Sequence, residues 1–382
     1  MPKKDNLIGF IREELQDYLV SLDEKPYRGL QIFEWIHNRG VIDFDSMTNL
    51  GKDLIEKLKI NSILEVPEVI DVSTSSEGTK KFLLKLDNDS FIEMVKIPEK
   101  KRQTLCISSQ AGCALQCTFC ATGYHGFKRN LTSSEIISQL WLANYYEDNS
   151  ERISNVVFMG MGEPLMNTEN VLKTIQIMQD QKCYSLSKRR ITLSTSGIVP
   201  EIEAITGKTD VSLAISLHAS NDDLRNKIVP INKKYPIKEL LSSSKKYLDS
   251  LKSKSHITIE YILINDVNDS IEDASNLVNL LSDLKCKINL IPFNPFPESD
   301  YERSTNEKVK AFKDYLIEHN FIATVRVTRG DEIDGACGQL VGKLINPIGS
   351  KKLKNKQIAA QNLHKFFSLL LRIFLYLTYT TF

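Results

Sequence analysis

Apolar residues recur at helical spacing from Leu7 to about residue 60: Leu15, Leu19 and Leu22, then Leu30, Phe33 and Ile36, then Leu54 and Leu58. The spacing predicts a small helical accessory domain over residues 1–62. Its second helix starts at Lys25-Pro26-Tyr27-Arg28, with proline near the first turn. From Val66 to Pro98 the pattern changes to β-branched runs broken by Ser75-Ser76-Glu77-Gly78, which predicts strands at 80–86 and 90–97 in a hairpin or small sheet. This is a β-rich connector over 63–103. After Lys101, strand-like runs at 104–108, 155–159, 190–194, 211–217, 257–263 and 287–291 alternate with helical stretches, clearest at 133–146, 168–178, 271–284 and 306–319. Such alternation predicts an α/β fold with a parallel sheet and crossover helices. Six β/α units predict an incomplete (β/α)6 barrel over 104–345, with its chemistry on the loops after the C-terminal ends of the strands.

The last segment, 346–382, differs from the rest. Gly349-Ser350-Lys351-Lys352-Leu353-Lys354-Asn355-Lys356 is basic, and Phe366 to Phe382 is almost wholly apolar apart from Arg372. A spanning helix needs about 20 apolar residues, so this run reads as a docked extension rather than a membrane anchor. Over the 382 residues the charges nearly cancel, at +1. A nucleic-acid partner must therefore be held by local basic groups, such as Lys128-Arg129, Lys188-Arg189-Arg190 and Lys233-Lys234. Seven cysteines, three of them clustered, do not form the even framework of a small secreted domain, and Met1-Pro2-Lys3-Lys4 leads into a polar helix. A reducing, cytoplasmic setting follows.

The three clustered cysteines are Cys113, Cys117 and Cys120, spaced C-x3-C-x2-C just after a strand-like run. A closed zinc site asks for four N or S ligands, and His125, the only nearby candidate, follows Cys120 at an awkward distance. A four-iron cluster held by three cysteines leaves its fourth iron open to another ligand. The spacing resembles the signature of the radical S-adenosylmethionine (SAM) enzymes, in which SAM occupies that iron. A zinc knuckle or buried structural cysteines are the alternatives.

Other chemistry-bearing residues fall at the ends of the predicted strands. Met159-Gly160-Met161-Gly162-Glu163-Pro164 follows the second; Gly162 lets backbone approach a ligand closely, and Glu163 can accept hydrogen bonds from an α-amino group. Ser194 ends the third strand, Ser216-Leu217-His218 the fourth, and Asn294 follows the sixth, each offering a polar group where a SAM ribose or amino-acid end needs partners. Two cysteines stand apart from the cluster loop. Cys106 lies on the first strand, and Cys337 sits between Gly335 and Gly338 in a polar segment suited to a mobile loop that carries a thiol. Cys183 and Cys286 read as small buried hydrophobes.

From Lys25-Pro26-Tyr27-Arg28 to about Gly342 the chain resembles the radical SAM methylsynthases, a family of RNA adenine methyltransferases. The resemblance is carried by Cys106-Ile107-Ser108-Ser109-Gln110, the cluster loop, Met159 to Pro164, Leu186-Ser187-Lys188-Arg189-Arg190, Ile228 to Tyr235, Asn289 to Pro295 and Ala336-Cys337-Gly338-Gln339-Leu340. The segment after Gly342 departs from the family. The resemblance implies a [4Fe-4S] cluster on Cys113, Cys117 and Cys120, and two SAM molecules per turnover. It also implies a methyl group carried on Cys337, a proton taken from C2 of adenine by Glu93, and a transient disulfide between Cys106 and Cys337. The implied substrates are an adenine of the peptidyl-transferase centre of 23S rRNA and the adenine 3′ of the anticodon in some tRNAs. A flavodoxin or ferredoxin as electron donor, and a monomeric state, are expected with them. A relative in the same group methylates C8 of that rRNA adenine with the same residues, and this regiochemistry stays open.

Overall fold

The computed structural model describes residues 4–86, 90–100, 102–147, 151–251 and 255–342. The predicted segment 346–382, with its basic and apolar runs, lies outside the described residues, as does the end of the expected barrel domain at 345. The residues through Gly342 belong to one compact unit.

The chain opens with a short strand β1 (Asp5–Asn6), followed by helices α1 (Arg12–Ser21), α2 (Tyr27–His37) and α3 (Lys52–Asn61) and a strand β2 (Ser62–Ile63) that pairs in parallel with β1. Pro26 caps α2, as its lack of an N–H allows. Leu15, Leu19, Ile32, Phe33, Ile36, Leu54 and Leu58 are buried, so the predicted apolar stripes are the faces that pack. Gly29 sets the closeness of α1 to α2: a Cβ there would lie 2.7 Å from the backbone of Leu15 and Gln16.

Three antiparallel strands come next, β3 (Glu68–Thr74), β4 (Lys80–Lys85) and β5 (Phe91–Glu99), then β6 (Arg102–Cys106). A two-stranded ribbon, β7 (Gln110–Gly112) with β8 (Phe127–Asn130), frames the cysteine loop and the short helix α4 (Ala121–Tyr124). Helix α5 (Ser133–Tyr145) begins at a capping box, in which Thr132 and Glu135 satisfy each other's backbone N–H groups. The repeat then runs β9 (Asn155–Phe158), α6 (Thr168–Gln179), β10 (Ile191–Thr195), α7 (Val199–Ile205), β11 (Ser212–Ser216), α8 (Asp222–Ile228), α9 (Ile237–Ser250), β12 (Ile257–Leu263), α10 (Ile271–Leu281), β13 (Cys286–Pro292), α11 (Asn306–Glu318) and β14 (Ile322–Val325).

One ten-stranded sheet joins β14-β13-β12-β11-β10-β9-β6-β5-β4-β3 in that order. Every pair from β6 to β14 is parallel. The six expected barrel strands are therefore present, and β14 adds a seventh at the far edge. The predicted hairpin, β4 with β5, continues the barrel sheet through an antiparallel pairing of β5 with β6. The first helices lean on the barrel through α5, where Ser133 Oγ donates to Gly9 O at 3.0 Å and Trp141 Nε1 to Ile36 O at 3.0 Å.

A closed (β/α)8 barrel is filled by branched apolar side chains. Here Thr104, Asn155, Thr192, Ser212, Thr258, Asn289 and Thr324 line a cavity instead. Polar inward positions leave the sheet hollow.

The sheet does not close on itself, and the segment after β14 bridges its two edges. Ser76 N and Oγ donate to Glu332 Oε1 at 2.5 and 2.7 Å, and Gly330 N donates to Glu77 Oε1 at 2.8 Å. Lys81 Nζ donates to Asp334 O at 3.2 Å, and Val341 N and Gly342 N donate to Glu93 Oε2 at 2.7 and 3.1 Å. Cys337 rides on this clasp.

Candidate active site

Two cavities meet inside the sheet. The first, about 960 Å³ including its open mouth, is lined by Cys113, Cys117, Cys120, Gly162, Glu163, Ser194, Ser216, His218 and Cys337 among others. These are the cysteine loop and the strand ends that the sequence brings into register. The second, about 2410 Å³ including its mouth, holds Cys106, Asn294, Arg326 and Cys337 and runs down to Arg102, Arg189 and Lys287. Cys337, Met159, Glu260, Ile291 and Leu340 line both.

The cysteine loop is held by backbone. Cys113 N donates to Gly126 O at 3.0 Å, Cys120 N to Cys117 O at 3.2 Å, and Ala121 N to Gly338 O at 2.7 Å, which ties the loop to the Cys337 clasp. All three cysteines are free thiols. Burial pushes Cys113 up to about 12 and raises Cys117 and Cys120, the neighbouring thiols adding to the rise at Cys117. Without a cation to ionise them they are neutral; bound iron would supply that charge. Among the described residues no three His, Cys, Asp or Glu side chains are grouped to hold a single metal ion. A four-iron cluster makes a different demand, one iron for each cysteine. Cys113, Cys117 and Cys120, three free thiols on one loop that all line the first cavity, fit it.

Glu163 is buried at 3% exposure. Its Oε1 accepts from Leu165 N at 3.0 Å and its Oε2 from Ser196 N at 2.8 Å, while burial raises its pKa. Gly162 has φ +97°, and a Cβ there would meet the Gln110 side chain at 2.4 Å. That side chain is needed, because Gln110 Oε1 accepts Glu163 N at 2.8 Å. Ser194 Oγ and Ser216 Oγ lie 3.5 Å apart. His218 Nδ1 accepts from Ile262 N at 3.1 Å, so the ring proton sits on Nε2, and burial lowers its pKa to about 3. Its ring meets Phe119 of the cysteine loop edge-on at 4.7 Å.

Other predicted residues lie elsewhere. Leu217 is wholly buried and acts through its backbone: its N–H donates to Ile215 O and Glu260 O, and its carbonyl accepts from Arg225. Asn294 Nδ2 donates to Cys337 O at 3.0 Å, in the second cavity rather than beside the cysteine loop. Cys106 pairs across the sheet with Val95, so Glu93, two positions along β5, shares its face. The Glu93 carboxylate lines neither cavity. It pairs with Lys81 at 3.2 Å and holds the clasp backbone.

Two residues gain importance only in the structure. Arg326 Nη1 lies 3.9 Å from Cys337 Sγ and 3.6 Å from Met159 Sδ, and its pKa is raised first by Cys337. Glu260 is buried where the two cavities meet, accepts from Asn289 Nδ2 at 2.7 Å, and has a pKa raised by burial. A lone arginine in a loop gives no sequence signal. A carboxylate inside the apolar run 257–263 does, and that signal could have found Glu260.

An open, mostly parallel barrel with a three-cysteine loop at the end of its first strand defines a radical SAM enzyme. The Radical SAM superfamily model matches residues 107–278, and the model of the ribosomal RNA large subunit methyltransferase N-terminal domain matches residues 5–64. The chain is 51% identical to the dual-specificity RNA methyltransferase RlmN of Marinobacter nauticus, over 90% of this chain and 94% of that protein. It is also 51% identical to that of Pseudomonas putida, over 89% and 91%. The crystal structure of a radical SAM methyltransferase from Sphaerobacter thermophilus matches with a TM-score of 0.84 and 38% identity, covering 89% of this chain and all of that one. The chain belongs to the RlmN family of radical SAM RNA methyltransferases. A [4Fe-4S] cluster and SAM are the cofactors of that chemistry. Among the described residues, no helix is long and apolar enough to cross a membrane.

Proposed function

We propose that this chain methylates C2 of an adenine in 23S rRNA and in tRNA, with the methyl group passing through Cys337. Adenine C2 is an electron-poor carbon with no lone pair to attack a methyl sulfonium, so a polar transfer from SAM to the base is closed. When bound, the cluster and SAM supply the methyl group and a carbon radical. Cys113, Cys117 and Cys120 hold the cluster, and Gly162, Glu163, Ser194, Ser216 and His218 surround SAM in the first cavity. Cys337 receives the methyl group, gives up one methyl hydrogen to that radical and forms the carbon–carbon bond to C2. The adduct loses one electron and Glu93 takes the C2 proton. Cys106 then attacks the Cys337 sulfur, breaking its bond to carbon, so that the released carbon gains a proton and leaves the base methylated. The disulfide left behind must then be reduced.

The observation that carries this reading is the position of Cys337, which lines both cavities, while Cys106 lines only the second. One thiol thus borders the space suited to SAM and the space suited to a flipped base. The second cavity reaches Arg102, Arg189 and Lys287, which offer phosphate contacts to an RNA that inserts its base. Lys81 holds Oε1 of Glu93 and the clasp holds Oε2, so displacement of the clasp frees Oε2 and moves Cys337.

The test is nucleoside analysis of rRNA and tRNA from cells lacking the chain and complemented with wild type, Cys337→Ala or Cys106→Ala. Wild type alone is expected to restore 2-methyladenosine, and Cys106→Ala to accumulate protein joined to RNA. Restoration of 8-methyladenosine without 2-methyladenosine, or turnover by the Cys106 variant, would overturn the proposal.

A further inference from the structure

Arg225 on α8 is a fully buried arginine. Its Nε donates to Leu217 O at 2.9 Å, its Nη2 to Ser196 O at 2.7 Å and Ser216 O at 3.0 Å, and its Nη1 to Asn232 Oδ1 at 2.7 Å. Each of these acceptors is neutral. The ion pairs among the described residues include none to Arg225; the nearest anion in the network is Asp222, which Asn232 Nδ2 contacts at 2.7 Å. The fork geometry of the guanidinium is therefore satisfied, but its charge is not. A buried cation without an anion is costly, and burial lowers the Arg225 pKa to about 10, against the pull of Cys117 and Asp222.

The cysteine loop lies against the C-terminal end of the same helix. Helix α8 ends at Ile228, whose carbonyl accepts from Thr118 N, beside Cys117, at 3.2 Å. A four-iron cluster on three thiolates carries one net negative charge when oxidised and two when reduced. We infer that Arg225 is the buried counter-charge of this cluster, and that by favouring the more negative, reduced form it sets the potential at which the chain accepts its electron. The inference rests on Cys113, Cys117 and Cys120 being the cluster ligands. It makes Arg225 a positioning residue, two hydrogen bonds of which also hold the strand ends at Ser196 and Ser216.

The experiment is a reductive titration of the reconstituted full chain, read by electron paramagnetic resonance of the reduced cluster, in wild type, Arg225→Lys, Arg225→Gln and Asp222→Asn. Iron content is measured first: a wild-type chain that holds no cluster overturns the ligand reading itself, whereas a normal cluster with unshifted variants overturns only the counter-charge. Arg225→Gln is expected to lower the reduction equilibrium at least tenfold, a fall of about 59 mV for a one-electron couple. Arg225→Lys, which keeps the charge and loses the fork, is expected to stay within about threefold of wild type. Asp222→Asn removes an anion from the network while keeping an oxygen for Asn232, and should shift the potential upward. Equal shifts in the lysine and glutamine variants would reduce Arg225 to a strut and overturn the inference. Should the Arg225 variants not fold, Asp222 decides, because its side chain is exposed: a raised potential supports the counter-charge, and an unchanged or lowered one refutes it.

Discussion

Lys81 Nζ lies 3.2 Å from Glu93 Oε1, with the two side chains only 8% and 2% exposed. Breaking a buried pair by removing one partner strands the other charge, at a cost of about 3–5 kcal/mol. Lys81→Met should cost that much in urea unfolding, and adding Glu93→Gln should recover most of it. A double variant no more stable than the lysine variant would mean that the pair does not matter.

On the proposed route Cys337 acts as a nucleophile, which calls for its thiolate, and Arg326 is the cation beside it. Arg326→Met should slow methylation of Cys337 by about tenfold. Mass spectrometry of the intact protein after one turnover with SAM measures this. A variant with the wild-type rate would remove Arg326 from the chemistry.

Gly162 has no room for a side chain against Gln110. Gly162→Ala should weaken SAM binding by about tenfold or more, since both the strained φ and the Gln110 contact would have to change. Iron content should stay at the wild-type level. Loss of iron together with SAM affinity would instead point to collapse of the whole strand end.

His37 and His218 are both buried, which lowers each pKa to about 3. The unfolded chain takes up these protons near pH 6.5 and the folded chain does not, so the stability they contribute is present above about 6.5 and lost as pH falls toward 3. Each contributes a slope of about 1.4 kcal/mol per pH unit in that window. His37→Phe should remove one such slope from the pH dependence of the urea midpoint. An unchanged slope would mean that His37 is protonated in the folded chain.

Much of the barrel was legible because local signals agreed with one another. Thr132 with Glu135 and Ser270 with Asp273 form capping boxes at the starts of two predicted helices, and the strands between are short and carry β-branched runs. The cysteine loop and Gly162-Glu163 were legible for a different reason: their spacing is chemical and survives without knowledge of packing. Arg225 and Arg326 were not legible, since an arginine in a polar stretch reads as surface until the fold buries it. The place of Glu93 was not legible, because its contact with the backbone of Val341 joins residues 248 positions apart. Asn294 and Cys106 followed the strand ends as expected, yet they face the second cavity. Strand ends alone do not say which side of Cys337 a residue serves.

The clasp that joins the last parallel strand to the antiparallel edge gives the sheet a seam, and the reactive thiol is carried on it. A rigid ring would have to admit a folded polynucleotide through an opening of fixed size, and a separate lid could open without disturbing the chemistry. A seam that bears the thiol permits neither: parting it would withdraw Cys337 from Arg326 and free Oε2 of Glu93 from the clasp backbone in the same displacement, with Lys81 still on Oε1. On the proposed route, substrate entry and the placement of Cys337 and Glu93 are thereby coupled through a single mechanical coordinate.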